Sequence, residues 1–198
     1  MFFIANKNYF KGKSKAGFTM IEILVVISIV IILPTVIIAN FPQIKHQFSL
    51  SRVTYKFAQD LRSAQNLAIS SVHYEDSFGQ SRDVTGYGVY VDINNFGNTR
   101  YVIYADQSPG DQQYQYGGGD YSVSDVDFSL TEPGVVIKQI NNVFNNTASI
   151  NFNPPNPDTT ITALNQGANS VEVVFALSSD LANTRTVFVN TSGLIEVK

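Results

Sequence analysis

The chemistry that this sequence offers begins with one carboxylate, Glu22, which lies inside an apolar run from Phe18 to Ala39. A charged side chain inside a membrane-spanning helix costs roughly 2.5–3.5 kcal/mol on insertion scales. A simple membrane anchor has no use for an unpaired carboxylate at that cost. The position of Glu22 therefore indicates that this segment does more than hold the chain in a membrane.

The apolar run has the length and composition of a membrane-spanning helix. Its 22 residues are apolar except for Thr19, Glu22, Ser28 and Thr35, and a helix of about 20 residues crosses a hydrocarbon core of about 30 Å. The run is preceded by lysines at positions 7, 11, 13 and 15, with no acidic residue among the first 17. This charge bias predicts a cytoplasmic N-terminus and export of everything after Ala39.

A secretory signal peptide or a plain signal anchor is the alternative interpretation of this segment. The run is longer than the ~7–15 residues of a signal-peptide core, and no small-x-small cleavage site follows it before Asn40. Gly17 stands at the front of the run, between the lysines and Phe18. Together with the buried carboxylate, these features favour a different class of exported protein.

The segment Gly17 to Ile27, which reads GFTMIEILVVI, resembles the class III signal and N-terminal helix of type IV pilins and pseudopilins. The resemblance implies that a membrane prepilin peptidase cuts between Gly17 and Phe18 on the cytoplasmic side and N-methylates Phe18. It also implies that Glu22, the fifth residue of the processed chain, pairs with the N-terminus of a neighbouring subunit and sets the register between subunits. Snorkelling of Glu22 to the membrane surface, or pairing with its own N-terminus, stays open as the alternative.

The sequence predicts an α+β, pilin-like fold in which a long N-terminal helix packs on an antiparallel β-sheet domain. We expect a cleaved leader at 1–17, a transmembrane and filament-core helix at 18–40, an amphipathic second half of that helix at 41–72, a connection at 73–84 and a β-rich domain at 85–198. Apolar residues at three- and four-residue steps predict one buried stripe on the second half, made of Leu50, Val53, Phe57, Leu61, Ala64, Ala68 and Val72. Pro34 and Pro42 predict a kink or an unwound patch around residues 30–42.

From Thr85 onward the hydrophobic period changes to two, which predicts β-strands. Residues 94–98 have turn chemistry, and the acidic segment 106–127 is expected to be a long loop. Strands are predicted at 85–93, 100–105, 135–140, 148–152, 170–177, 184–190 and 194–197. In the strand 170–177, Val171, Val173 and Phe175 alternate with Glu172, Val174 and Ala176. Because both sets contain apolar residues, this strand is expected to be buried on both faces.

Two further segments resemble a narrower group of proteins. Residues 57–69, FAQDLRSAQNLAI, and the hairpin after Thr85 are similar to the H-type minor pseudopilins of type II secretion and the T-type fimbrial minor pilins. This resemblance implies a structural subunit of a type II secretion pseudopilus or type IV pilus, held in the bacterial inner membrane before assembly. The implied partners are other pilin or pseudopilin subunits, the prepilin peptidase and the inner-membrane assembly platform. The prolines depart from the commonest family pattern, which has one proline at the position of Ala39.

Three alternative functions stay open: a major pilin, a DNA-uptake minor pilin and a signal-anchored exported binding domain. Without the leader the chain has 9 basic and 16 acidic residues, a net charge of −7, which does not favour contact with nucleic acid. The chain has no cysteine, so it forms no disulfide and no thiol-bound metal site.

No catalytic motif is present in the sequence, so we expect no enzyme activity and no cofactor. His73, Glu75 and Asp76 are metal-ligand types, but adjacent residues on a loop seldom converge on one ion. The segment 106–127 contains five aspartates, which favours a solvated acidic loop, with calcium binding as the alternative.

Overall fold

The structure, a computed structural model, describes residues 17–76, 78–107, 109–154, 158–164 and 166–198. The predicted leader therefore lies outside the described residues except for Gly17. The chain divides into two units, one ending at Pro42 and one comprising Gln43–Lys198. The elements in chain order are α1 Met20–Ile69, β1 Tyr74–Glu75, β2 Ser81–Arg82, β3 Val84–Asp92, α2 Ile93–Phe96, β4 Arg100–Gln107, β5 Tyr121–Asp127, β6 Val135–Asn141, β7 Thr147–Asn153, β8 Asp158–Ala163, β9 Gln166–Ala168, β10 Ser170–Leu177, β11 Asp180–Asn190 and β12 Ile195–Val197.

The strands form two main sheets and a short hairpin. The larger sheet has six strands in the order β5-β4-β3-β7-β8-β9, and the smaller has four in the order β12-β11-β10-β6. Strands β1 and β2 pair only with each other. Every one of these pairings is antiparallel. The predicted α+β class, a long N-terminal helix with antiparallel sheets, is therefore confirmed.

Within the second unit, the C-terminal half of α1 buries one face in the core that the two sheets share. The face consists of the predicted residues with Ala58 in place of Val72: Leu50, Val53, Phe57, Ala58, Leu61, Ala64 and Ala68. Phe57 lies at its centre, with its ring 5.0 Å from that of Tyr101 in β4 and 5.3 Å from that of Phe175 in β10, both edge to face. The side chain of Phe57 thus packs against both sheets, and each such ring pair contributes stability beyond that of the apolar area it buries.

Polar contacts fix the same part of α1 to its surroundings. Arg52 donates from Nε to Oε1 of Glu132 at 2.5 Å and from Nη2 to Oε2 at 2.7 Å. The hydroxyl of Tyr101 donates to Oδ2 of Asp60 at 2.6 Å. A bidentate ion pair restricts both translation and rotation of the helix, because two parallel bonds have one mutual geometry.

Two features of α1 differ from the expectation. The backbone is helical from Met20 to Ile69 through both prolines, so the expected patch around residues 30–42 is not unwound. The helix ends at Ile69 rather than at Val72 because Ser71 has a φ of +48°, and the amides of Ser71 and Val72 donate back to the carbonyls of Ala68 and Leu67. This is a Schellman-type closure, built here without the usual glycine.

The seven predicted strands are present with small shifts at their ends, and β10 is buried on both faces from Val173 to Leu177. The expectation of a continuous loop at 106–127 is wrong, because Tyr121–Asp127 forms β5 and pairs with β4. β5 is an edge strand whose side chains are mostly exposed, so it lacks the alternation by which strands are recognised. The predicted turn at 94–98 contains the one-turn helix α2, which Asp92 caps. Strands β8 and β9 were not predicted.

Candidate processing and assembly site

The predicted site residues surround the first turn of α1. Gly17 and Phe18 precede the helix, and Glu22 lies in its first turn. The amide of Glu22 donates to Oγ1 of Thr19 at 3.2 Å, and the amide of Thr19 donates to Oε2 of Glu22 at 3.4 Å. This reciprocal arrangement is a capping box, in which two otherwise unpaired amides of a helix start are satisfied by side chains.

The capping box was missed in the sequence, although Thr-x-x-Glu is its ordinary signature. It gives Glu22 a role in the isolated chain, since a carboxylate near a helix N-terminus also interacts favourably with the helix dipole. The bond from the Thr19 amide is longer than the usual 2.7–3.2 Å range for N–H···O bonds. The hydrogen bond between the Thr19 amide and the Glu22 carboxylate is therefore weak. Exchanging it for a bond to a stronger donor costs little free energy.

Among the described residues, little packs against Gly17 and Phe18. The Phe18 side chain is 80% exposed, and a methyl group built on Gly17 would meet no described atom within 4 Å. The described part of the chain therefore leaves the bond between Gly17 and Phe18 unobstructed just before the helix begins.

The N-terminal half of α1 is long and apolar enough to cross a membrane, and its apolar side chains from Met20 to Ile38 are exposed. The hydroxyls of Ser28 and Thr35 donate to the carbonyls of Leu24 and Ile31, both at 2.8 Å. Polar groups in a hydrocarbon environment need such internal partners. Between Phe18 and Ile44 the sequence contains no other ionisable side chain than Glu22, so the charge chemistry of this segment is concentrated there.

The side chains of His73 and Asp76 have separate partners and do not converge. His73 lies 3.3 Å from Asp83, whereas Asp76 pairs with Arg82 at 2.8 Å. The amide of Gln80, followed by Arg82, lowers the pKa of Asp76 below its ordinary value. In the part of the chain that the structure describes, no three His, Cys, Asp or Glu side chains are grouped so that they could hold a metal ion.

The aspartates between Asp106 and Asp127 are engaged mainly with the backbone. Asp120 accepts from the amides of Gln107 at 3.1 Å and Gln115 at 2.7 Å. Burial raises the pKa of Asp120 to about 6. Asp125 forms an ion pair with Arg100. These carboxylates order the backbone around them, and calcium binding by the segment stays a prediction.

In comparison with known protein families, residues 12–33 match the family described as the prokaryotic N-terminal methylation motif. The matched range contains Gly17, Phe18 and Glu22 and excludes the whole β-rich domain. No curated protein and no solved structure is significantly similar to the chain.

Proposed function

We propose that this type IV pilin-like chain is a minor pseudopilin or minor pilin, a structural subunit of a type II secretion pseudopilus or a type IV pilus. The observation that carries the proposal is the methylation motif, which is continuous with a long apolar helix whose first turn holds Glu22. Before assembly the subunit is held in the inner membrane by residues 18–40, with a cytoplasmic N-terminus and an exported C-terminal domain. The prepilin peptidase and the assembly platform are its expected partners there.

The capping box supports a specific sequence of events at Glu22. In the isolated chain the carboxylate accepts one long bond from the Thr19 amide at 3.4 Å. Processing creates an amine on Phe18, and in a filament the amine of one subunit approaches Glu22 of the next. The Thr19 amide is a neutral donor to the carboxylate, whereas the amine of Phe18 is a charged one, and pairing of two opposite charges gives the shorter and stronger hydrogen bond. The carboxylate therefore exchanges a long internal contact for a stronger one between subunits.

The buried face of α1 supports the narrower assignment. Ala58, Ala64 and Ala68 are almost completely buried, and small side chains let a helix approach a sheet closely. These alanines belong to the segment that resembles H-type pseudopilins and T-type fimbrial pilins. The net charge of −7 after processing favours this role over DNA uptake, which needs a basic surface.

The absence of cysteine provides a direct test. Leu130→Cys, at a side chain that is 90% exposed, gives a unique thiol, and Phe144→Cys gives a second one elsewhere on the domain in case a neighbouring subunit covers the first. After labelling, filaments are sheared from cells and quantified against their main subunit. We expect label in the filament fraction at a small fraction of the main subunit. Label that stays wholly in the membrane contradicts filament assembly, and label in every subunit identifies a major pilin instead.

A further inference from the structure

Two polar side chains meet beneath the segment 109–119, on the six-stranded sheet. Asp106 of β4 is 1% exposed, and Asn151 of β7 is 0% exposed. The strand between them, β3, presents Gly86 opposite Asp106 and Gly88 opposite Asn151. A Cβ on Gly86 would lie only 2.8 Å from Oδ1 of Asn151. The glycines thus leave the space through which Nδ2 of Asn151 donates to Oδ2 of Asp106 at 3.0 Å.

The pair leaves two buried oxygens without a partner among the described residues. These are Oδ1 of Asp106 and Oδ1 of Asn151. If Asp106 is ionised, both atoms are hydrogen-bond acceptors, so neither can satisfy the other. A buried polar atom without a partner is costly, and a buried unpaired charge is more so. The Thr85 hydroxyl, the Gln112 amide and Asn151 Nδ2 favour the ionised form of Asp106, but burial has the larger effect and disfavours it.

No cation offsets this charge among the interactions that act on the carboxyl. The segment that follows β4 brings two further acids towards it, Asp111 and Asp120. On β4 itself the nearest titratable group is Tyr104, whose hydroxyl bonds to Ser149 of β7. β3 contributes Thr85, and β7 contributes Asn151, both uncharged. Burial, with a smaller effect from Asp111, raises the pKa of Asp106.

We propose that Asp106 carries a proton on Oδ1 and donates it in a hydrogen bond to Oδ1 of Asn151. With the existing bond from Asn151 Nδ2 to Asp106 Oδ2, this makes a carboxylic acid–amide pair closed by two parallel hydrogen bonds. One proton satisfies both unpaired oxygens and removes the buried charge. The pair needs no metal ion.

The carboxyl of Asp106 also fastens the segment 109–119 to the sheet. The amide of Gln112 donates to Oδ2 of Asp106 at 3.1 Å, and the amide of Tyr114 donates to Ser149 at 3.0 Å. Gly110 passes so close to the carboxyl that a Cβ there would collide with it. Loss of the proton leaves a buried anion beside Asp111 and Asp120, which burial and these two acids disfavour, although the bond from the Gln112 amide favours it. Because the pKa is raised in the folded state, stability falls as pH rises from the ordinary value of 3.8 through the folded pKa, and is level above it.

The direct test is an NMR titration of the processed full chain in detergent micelles, which follows the side-chain carboxyl ¹³C shift of Asp106. Asp106→Asn identifies the signal. We expect Asp106 to titrate above the reference value of about 3.9 for an aspartate. Titration at or below that value overturns the proposal.

Asp106→Asn is also a structural mimic of the protonated acid, because its amide supplies a permanent donor for Asn151. We expect its thermal midpoint to match that of the unmodified chain at low pH and to exceed it above the pKa of Asp106. Asp158→Asn, at an exposed acid in another strand, is the matched control and should keep the original pH profile. A thermal midpoint of Asp106→Asn that is lower than that of the unmodified chain at pH 7 contradicts the proposed protonation. A calcium-dependent midpoint of the unmodified chain, reversed by chelator and abolished by Asp106→Asn, contradicts it as well. If Asp106→Asn fails to fold, sequential resonance assignment of the unmodified chain identifies the Asp106 signal, and its titration still decides.

Discussion

Replacement of Glu22 separates its two roles, because the capping box can be kept while the charge is removed. Glu22→Gln retains a side chain that caps at this position, since Gln and Glu both occur there in capping boxes. Thr19→Ala does the reverse, removing the oxygen that accepts from the Glu22 amide at 3.2 Å and keeping the carboxylate. The two variants therefore remove the charge and the cap one at a time.

The expected magnitudes differ enough to be measured. A bond to a charged group contributes about 1–1.5 kcal/mol more than a neutral one, which is roughly a fivefold to tenfold change per contact. Loss of an N-cap costs about 0.5–2 kcal/mol of helix stability, but this cost applies to the isolated chain and to the assembled one alike. We therefore expect Glu22→Gln to lower filament incorporation at least fivefold and Thr19→Ala to change it less than twofold.

The assay measures each variant in sheared filaments relative to its amount in the membrane. Total membrane levels and cleavage before Phe18 are measured in the same cells, so that loss of processing is not mistaken for loss of assembly. Normal incorporation of Glu22→Gln would refute the pairing between subunits. An equal loss in both variants would show that assembly depends on the cap as much as on the charge.

The remaining predictions concern the exported domain. Phe57→Ala should lower the free energy of unfolding by about 3–5 kcal/mol, because it removes the ring between the two sheets. Tyr55→Ala, at a side chain that is 55% exposed, is the control and should change the free energy of unfolding by about 0.5 kcal/mol or less. Denaturant unfolding in micelles compares the two variants, and equal effects would contradict the described core. Arg52 lowers the pKa of Glu132 below its ordinary value of 4.5, so the stability from this pair is present above that pH and is lost as pH falls through the lowered folded value. The difference between Glu132→Gln and the unmodified chain should therefore shrink in acid, and a constant difference would show that the ion pair contributes nothing.

Local patterns in the sequence were sufficient for the elements that bury one regular face. The three- and four-residue spacing from Leu50 to Ala68 predicted the buried side of α1, and the period of two predicted β3 and β10. The edge strand β5 escaped prediction because exposed serines and aspartates on it carry no alternation. The end of α1 escaped because Ser71, not a glycine, adopts the left-handed conformation there.

For the functional residues, too, only features with a local sequence pattern could be predicted. Gly17, Phe18 and Glu22 were recognised because their spacing is local and specific. The capping role of Glu22 is equally local, because the spacing Thr19-x-x-Glu22 is the ordinary signature of a capping box. The pair of Asp106 and Asn151 could not be predicted, because the two residues are 45 positions apart and meet only through the register of β4, β3 and β7.

The measurement that tests the account most directly is the intact mass of the chain extracted from membranes of cells with and without prepilin peptidase activity. The account predicts a chain that begins at N-methylated Phe18 when the peptidase is active and at Met1 when it is not. A chain that begins at Met1 in both cells would contradict it. The protein would then be a signal-anchored exported domain in which Glu22 serves as a helix cap.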